Sequence, residues 1–164
     1  MNWTIDTLRP EDWPAARAIY LEGIATGLAT FETHAPRWET WNAGHLPFGR
    51  LALREGETLL GWAALSPVSK RSAYRGVAEV SVYVHAAARG QGGGRALLQA
   101  LIEASEENGI WTLQAAIFAR NDASLQLHRR CGFREVGRRE QIAQLRGVWE
   151  DTILMERRSK VVGG

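Results

Sequence analysis

Arg89-Gly90-Gln91-Gly92-Gly93-Gly94-Arg95 lies between an apolar, strand-like run from Val80 to Val84 and a helix-like run from Ala96 to Glu107. The order is strand, glycine-rich turn, helix start. Four glycines within positions 90 to 94 are costly for a loop that merely connects, because each loses backbone entropy on ordering. What they provide is main-chain N–H groups with no Cβ in the way. At a helix N-terminus such groups bind phosphate, since the unpaired donors and the positive end of the helix dipole point the same way. The turn therefore reads as a pyrophosphate site.

Working outward, the strand before the turn alternates. Val80, Val82 and Val84 share one face, while Glu79, Ser81, Tyr83 and His85 share the other, which puts a carboxylate on the same face as Tyr83. After the turn, Leu97, Leu98, Leu101, Ile102 and Ser105 form one helical stripe, with Gln99, Glu103, Glu106 and Glu107 expected in water. Asn108-Gly109 stops that helix. Trp111 to Phe118 reads as the next strand, Asn121-Asp122-Ala123-Ser124 as a helix cap, and Leu125 to Arg130 as a short helix closed by Gly132. Two final strands are expected at Phe133 to Val136 and Val148 to Met155, separated by a polar segment.

Toward the N-terminus, Trp3 to Asp6 reads as a strand and Ala15 to Ile24 as a half-buried helix. Thr26 to Pro36 is a polar stretch in which Phe31 stands beside Glu32, either a substrate-facing loop or a connector. A short helix with Trp38 and Trp41 on one face follows. Leu51 to Arg54 and Thr58 to Leu65 form a hairpin through Glu55-Gly56-Glu57. Beyond Pro67, Ser69 to Gly76 is a polar loop containing Tyr74 and Arg75. No repeat or low-complexity segment is present.

A chain of 164 residues with 45% apolar and 23% charged side chains is long enough for one packed domain, taken as residues 1–160 with a tail at 161–164. No apolar run nears the roughly 18 residues of a membrane span. The N-terminus lacks the layout of a signal peptide, so a cytoplasmic location is expected. The net charge of +2 is too small, and the arginine pairs too scattered, for a nucleic-acid footprint. Cys131 stands alone, which excludes an intramolecular disulfide and argues against a thiolate metal cluster; no metal is expected.

Spacing separates the nucleotide readings of the glycine turn. A P-loop would end in Gly-Lys-Ser/Thr, which is absent. A dinucleotide fingerprint starting at Gly90 would need its third glycine where Arg95 stands. Gly92 and Gly94, three and five residues after Arg89, match Arg/Gln-x-x-Gly-x-Gly/Ala instead, the acyl-coenzyme A pattern.

Together, Val82-Tyr83-Val84, Arg89 to Arg95, Asn121 to Leu125 and Leu127-His128-Arg129-Arg130-Cys131-Gly132-Phe133 resemble the core motifs of the GNAT N-acetyltransferases over most of the chain. Within that superfamily Thr30-Phe31-Glu32, Tyr74 to Glu79 and Arg146-Gly147-Val148-Trp149 resemble phosphinothricin and methionine sulfoximine acetyltransferases. The resemblance implies an α/β (α+β) fold, a mixed central sheet with two splayed strands flanked by helices. It also implies acetyl transfer from acetyl-CoA to the primary amine of a small amino-acid-like acceptor, by a small enzyme that, like many of its kind, is a homodimer.

The same resemblance assigns roles. Main-chain N–H groups of Gly90, Gln91, Gly92, Gly93, Gly94 and Arg95, with Arg89, would hold the pyrophosphate. The backbone of Val82, Tyr83 and Val84 would pair with the pantetheine amides as an added strand. A free N–H at Val84 would polarise the thioester carbonyl. Asn121 and Ser124 would touch the coenzyme near its reactive end. An α-amino group, with a pKa of about 8, needs a base, and Glu79 is the first choice with Glu32 the competitor. His128 stands where many relatives carry a tyrosine, as a proton donor to the thiolate or as a packing and coenzyme contact. Tyr74, Arg75, Arg146 and Trp149 join Phe31 and Glu32 as acceptor-site candidates, with ordinary solvated charge as the other reading of the arginines. Alternative functions are transfer to a protein N-terminus, lysine or polyamine, and an acyl-CoA sensor without turnover.

Overall fold

The computed structural model describes residues 2–164. Seven strands form one sheet in the order β1-β2-β3-β4-β5-β7-β6: β1 Thr4–Thr7, β2 Leu51–Glu55, β3 Thr58–Pro67, β4 Val77–Val84, β5 Thr112–Phe118, β6 Arg134–Leu145 and β7 Val148–Arg158. Every pairing is antiparallel except β4 with β5. The helices are α1 Trp13–Thr26, α2 Trp38–Gly44, α3 Gly93–Glu107 and α4 Asp122–Arg130. This is the mixed α/β sheet flanked by helices that the resemblance implied.

Two apolar layers hold the sheet. On one face Leu97, Leu98 and Leu101 of α3 pack with Leu65, Val80, Leu113, Ile117, Ile153 and Met155. On the other, Trp13, Ala16 and Ile19 of α1 and Trp41 of α2 pack with Ala52, Trp62 and Ala64. The alternation read in β4 follows this division, because Val80, Val82 and Val84 join the α3 side and Tyr83 joins the α1 side.

The splay between β4 and β5 is explicit. They pair only at Val77, Ala78 and Glu79 against Thr112, Leu113 and Gln114, although each strand runs several residues further. The cleft that opens past Glu79 positions the site.

Three expectations need correction. The polar segment after Val136 is strand, because β6 runs to Leu145 and turns into β7 through Arg146 and Gly147, both at positive φ. Almost all of β6 is exposed, so no burial pattern marks it; main-chain pairing and the Arg134–Glu156 and Arg138–Asp151 ion pairs across to β7 hold it. Glu106 does not face water but accepts from Ser159 Oγ beside Arg157. The helix after the glycine turn begins at Gly93, three residues earlier than the apolar stripe suggested, so Gly93, Gly94 and Arg95 form its first turn.

Candidate active site

The glycine turn is built for exposed amides. Gly92 is the N-cap of α3 at φ 90°, ψ 3°, a left-handed conformation that a Cβ disfavours. Its carbonyl accepts the first helical bond, from Ala96, at 3.0 Å. The N–H groups of Gly93, Gly94 and Arg95 therefore have no helical partner, and these residues line the cleft. At Gly93 an added Cβ would lie 2.8 Å from Leu53, so the helix start sits directly on the core. Arg89, Arg95 and Arg130 line this end of the cleft and make it cationic.

Strand β4 supplies the second element. The His85 N–H donates to the Leu60 carbonyl at 2.7 Å, which fixes the phase of the β3–β4 ladder. Opposed residues in such a ladder alternate between exchanging both bonds and exchanging neither. Tyr83, opposite Trp62, thus gives its main-chain groups to β3, whereas Val82 and Val84 turn theirs into the cleft. Arg89 Nε donates to the Val84 carbonyl at 3.2 Å, and the Val84 N–H keeps its opening onto the cleft. Of the three residues expected to lend backbone to the coenzyme, Tyr83 cannot, because β3 takes its peptide groups. Its side chain instead crosses to the α1 face and stacks on Trp62 at 4.9 Å.

The cleft has a volume of about 1040 Å³. A smaller chamber of about 420 Å³ opens beside it, and Tyr20, Glu32, His45, Ser81 and Tyr83 line both. The chamber's inner walls are Trp41 and Trp62. Burial, with Tyr20 and Glu32 close by, pushes the Tyr83 phenol far above its ordinary value, so it is a neutral hydroxyl. Glu79 lines the cleft just before the strands part, and its Oε1 accepts from Gln114 Nε2 at 3.1 Å. Arg89 and Arg95 thus flank the glycine turn, Glu79 lines the cleft alone and Glu32 lines both cavities.

His128 is buried on α4 and lines the cleft. Its Nδ1 lies 2.7 Å from the Ser124 carbonyl, and since a carbonyl only accepts, Nδ1 carries the hydrogen. Burial lowers its pKa, so the ring is neutral with Nε2 bare, packed edge-on against Phe133. This arrangement suits a contact surface and leaves no free proton to give a thiolate.

Phe31, Glu32, Asn121 and Ser124 also line the cleft, whereas the Gln91 side chain turns back to the Ala87 carbonyl. Four acceptor-site candidates lie outside both cavities. Tyr74 is exposed, and Arg75 donates to the Ser72 carbonyl and lies over the Trp111 ring. Arg146 and Trp149 occupy the tip of the β6–β7 hairpin, and Trp149 is 54% exposed. Among the described residues no arginine or lysine lines the smaller chamber. Conversely, Tyr20, His45, Trp41 and Trp62 line it and were not legible as site residues. Their sequence signal is that of core aromatics, and here the core and the chamber wall are the same rings. No group of three or more His, Cys, Asp or Glu side chains among the described residues gathers as a metal site would.

A parallel strand pair that parts to expose one edge, next to a cationic helix N-terminus, defines an acyl-CoA-dependent acyltransferase. The family comparison bears on the same stretch: residues 7–133 match the model of the acetyltransferase (GNAT) family, and the chain belongs to it. It is 40% identical to phosphinothricin N-acetyltransferase of Alcaligenes faecalis over 94% of this chain and 81% of that protein. It is 42% identical to the L-methionine sulfoximine/L-methionine sulfone acetyltransferase of Pseudomonas aeruginosa, over 60% of this chain and 57% of that one. Among solved structures it is similar to a GNAT superfamily phosphinothricin acetyltransferase from Sinorhizobium meliloti in complex with AcCoA, with a TM-score of 0.85 and 28% identity over 100% of this chain and 95% of that one. The protein is an acetyl-CoA-dependent N-acetyltransferase.

Proposed function

We propose that the acceptor is the primary amine of a small amino-acid-like molecule, of the phosphinothricin or methionine sulfoximine type, acetylated by direct attack. The observation that carries this reading is the 420 Å³ chamber, which opens onto the cleft between Glu32, Ser81 and Tyr83. An acceptor seated there presents its amine to the open edge of β4.

Acetyl-CoA supplies an activated acetyl thioester, and the residues present fit it. Amides at Gly92 to Arg95 hold the pyrophosphate, with Arg89, Arg95 and Arg130 neutralising phosphate charge. Main-chain groups of Val82 would pair with the pantetheine amides, and the Val84 N–H would polarise the thioester carbonyl. Glu79 takes the ammonium proton, directly or through water. Glu32 holds the ammonium at the chamber mouth. His128 and Ser124 form the wall at the reactive end.

The protein is further proposed to act as a homodimer in the cytoplasm. Support for the dimer is the exposed apolar set on the β6–β7 hairpin, Val136, Ile142, Val148 and Trp149. An isolated ribbon rarely keeps such a set in water. Light scattering of the purified protein reads the mass directly, and a monomer at micromolar concentration would sink that part.

The deciding experiment is a panel of amines, assayed for CoA release with acetyl-CoA. Transfer to L-methionine sulfoximine or phosphinothricin is expected. Turnover with peptides or polyamines only would replace the acceptor class, and acetyl-CoA binding without turnover on any amine would favour a sensor.

A further inference from the structure

The segment joining α1 to α2 has no regular structure, yet Leu28 to Glu32 form one wall of the cleft and Glu32 also lines the chamber. Such a segment needs something to fix it, since a wall that moves by an ångström misplaces whatever it holds. Three long-range ties fix it, and all come from the short stretch that leaves β5 and starts α4. Arg120 Nη2 donates to the Gly27 carbonyl at 2.6 Å. Asn121 Nδ2 donates to the Leu28 carbonyl at 3.1 Å. The Phe31 ring meets Phe118 edge-on at 4.6 Å between centroids.

Each polar tie is itself held from behind. Arg120 grips Glu150 of β7 through Nε at 3.0 Å to both oxygens and Nη2 at 2.8 Å to one. Glu150 is only 8% exposed, so the carboxylate is a largely buried anchor. A planar guanidinium can bind a carboxylate along one edge and still give a carbonyl a hydrogen, which an ammonium at one point in space cannot do with the same geometry. Asn121 works in both directions. While Nδ2 holds Leu28, Oδ1 accepts from the Ser124 N–H at 3.2 Å and caps α4. That helix contributes Ser124, Leu127 and His128 to the cofactor side of the cleft.

We propose that Asn121 and the Arg120–Glu150 pair are positioning residues: they lock the acceptor-side wall, residues 27–32, to the cofactor-side helix α4 and so set where Glu32 and Phe31 stand. This task uses one hydrogen of Asn121 Nδ2 and one lone pair of Oδ1, and it is separate from the coenzyme contact that the resemblance implied. The proposal rests on the reading of chamber and cleft as acceptor and cofactor sites.

The test uses the full chain and three conservative variants, Asn121→Asp, Arg120→Lys and Glu150→Gln. Asn121→Asp keeps the cap oxygen, so α4 stays capped, and replaces the donor to Leu28 with an acceptor that the Leu28 carbonyl repels. With L-methionine sulfoximine as the acceptor, KM for the acceptor is expected to rise about tenfold in each variant, while KM for acetyl-CoA stays within about twofold. CoA release without acceptor should rise, because a loosened wall admits water. Hydrogen exchange of the amides of residues 27–32 should speed up while α3 keeps its protection. A purely structural role would lower the melting temperature and move both KM values together, and that outcome overturns the proposal. Unchanged exchange at 27–32 overturns it as well. If the wild-type chain acetylates no amine at all, the acceptor reading fails by itself, and the exchange measurement still decides the lock.

Discussion

An alanine Cβ at position 23 would lie 2.8 Å from Cε1 and 2.9 Å from Cδ1 of Tyr83, so the tyrosine ring rests directly on the backbone of α1. A glycine inside a helix costs about 1 kcal/mol relative to alanine, so its presence mid-helix needs a reason. The ring supplies one. It is held on its other sides by Trp62 at 4.9 Å and Tyr20 at 4.9 Å between centroids, and it cannot slide away. Gly23→Ala should therefore destabilise the fold by about 1–3 kcal/mol despite the better helix propensity. Because the displaced ring walls both cavities, acceptor KM should rise too. Urea unfolding and steady-state kinetics read the two effects; a variant as stable as wild type would show that the ring has room.

A second prediction concerns Arg54, which ties β1 and the turn Pro10–Asp12 to β2. Its guanidinium meets both oxygens of Asp12, at 2.8 and 2.7 Å, and Asp6 at 2.8 Å, while only 9% exposed. The hydrogen bonds from Arg54 hold the Asp12 carboxyl below its ordinary pKa, against the opposing effect of burial. A carboxyl with a depressed folded pKa adds stability above its unfolded value, about 3.9, and loses it as pH falls through the lower folded value. Arg54→Leu should cost about 3–5 kcal/mol at pH 7, because two carboxylates lose their partner. The loss should shrink below about pH 4 as the Asp12 carboxylate protonates. Denaturant unfolding at several pH values checks both statements.

The fold could be read from the chain wherever one side of an element is buried. Val80 to Val84 and Leu97 to Ser105 carry their pleat and stripe openly, and the glycine turn between them carries the cofactor. What escaped reading did so for physical reasons. Strand β6 is exposed on both faces, so main-chain pairing to β7 defines it and no apolar period does. The chamber wall escaped because Trp41, Trp62, Tyr20 and Tyr83 belong to one aromatic cluster that serves as core on one side and as lining on the other. Tyr74 and Arg75 share a loop with Glu79's strand, but sequence adjacency says nothing about direction, and Arg75 turns to Trp111. The Arg120–Glu150 pair spans 30 residues of sequence and has no local signature.

Two histidines make stability depend on pH near neutrality. Burial lowers the pKa of His45, with Arg50 adding to the effect and the Trp41 carbonyl opposing it; burial likewise lowers that of His128 against the Ser124 carbonyl. For a histidine depressed on folding, the unfolded chain binds the proton more readily. The stability is present above the unfolded value of about 6.5 and is lost as pH falls through the folded value. Each group steepens the fall by at most about 1.4 kcal/mol per pH unit. The melting temperature should drop between pH 7 and pH 5, and His45→Gln or His128→Gln should flatten that drop. A variant whose curve keeps the wild-type slope would show that its histidine titrates alike in the folded and unfolded chain.

The last prediction separates the two carboxylates that line the cleft. Glu79 occupies the final paired position of β4 with β5, opposite Gln114, where the strands begin to part, and Gln114 steadies its Oε1. Glu32 stands on the irregular wall segment and lines both cavities. A group that removes a proton in the transition state affects turnover, whereas a group that holds the bound ammonium affects both states alike and shows in KM. Glu79→Gln preserves size and the partner at Gln114, so the strands should still pair. It should lower kcat by about 10²–10⁴, the usual range for a positioned base, with little change in either KM. Glu32→Gln should instead raise acceptor KM and leave kcat within a few fold. The reverse pattern would make Glu32 the base, and a Glu79→Gln enzyme with wild-type kcat would mean that the acceptor loses its proton to water.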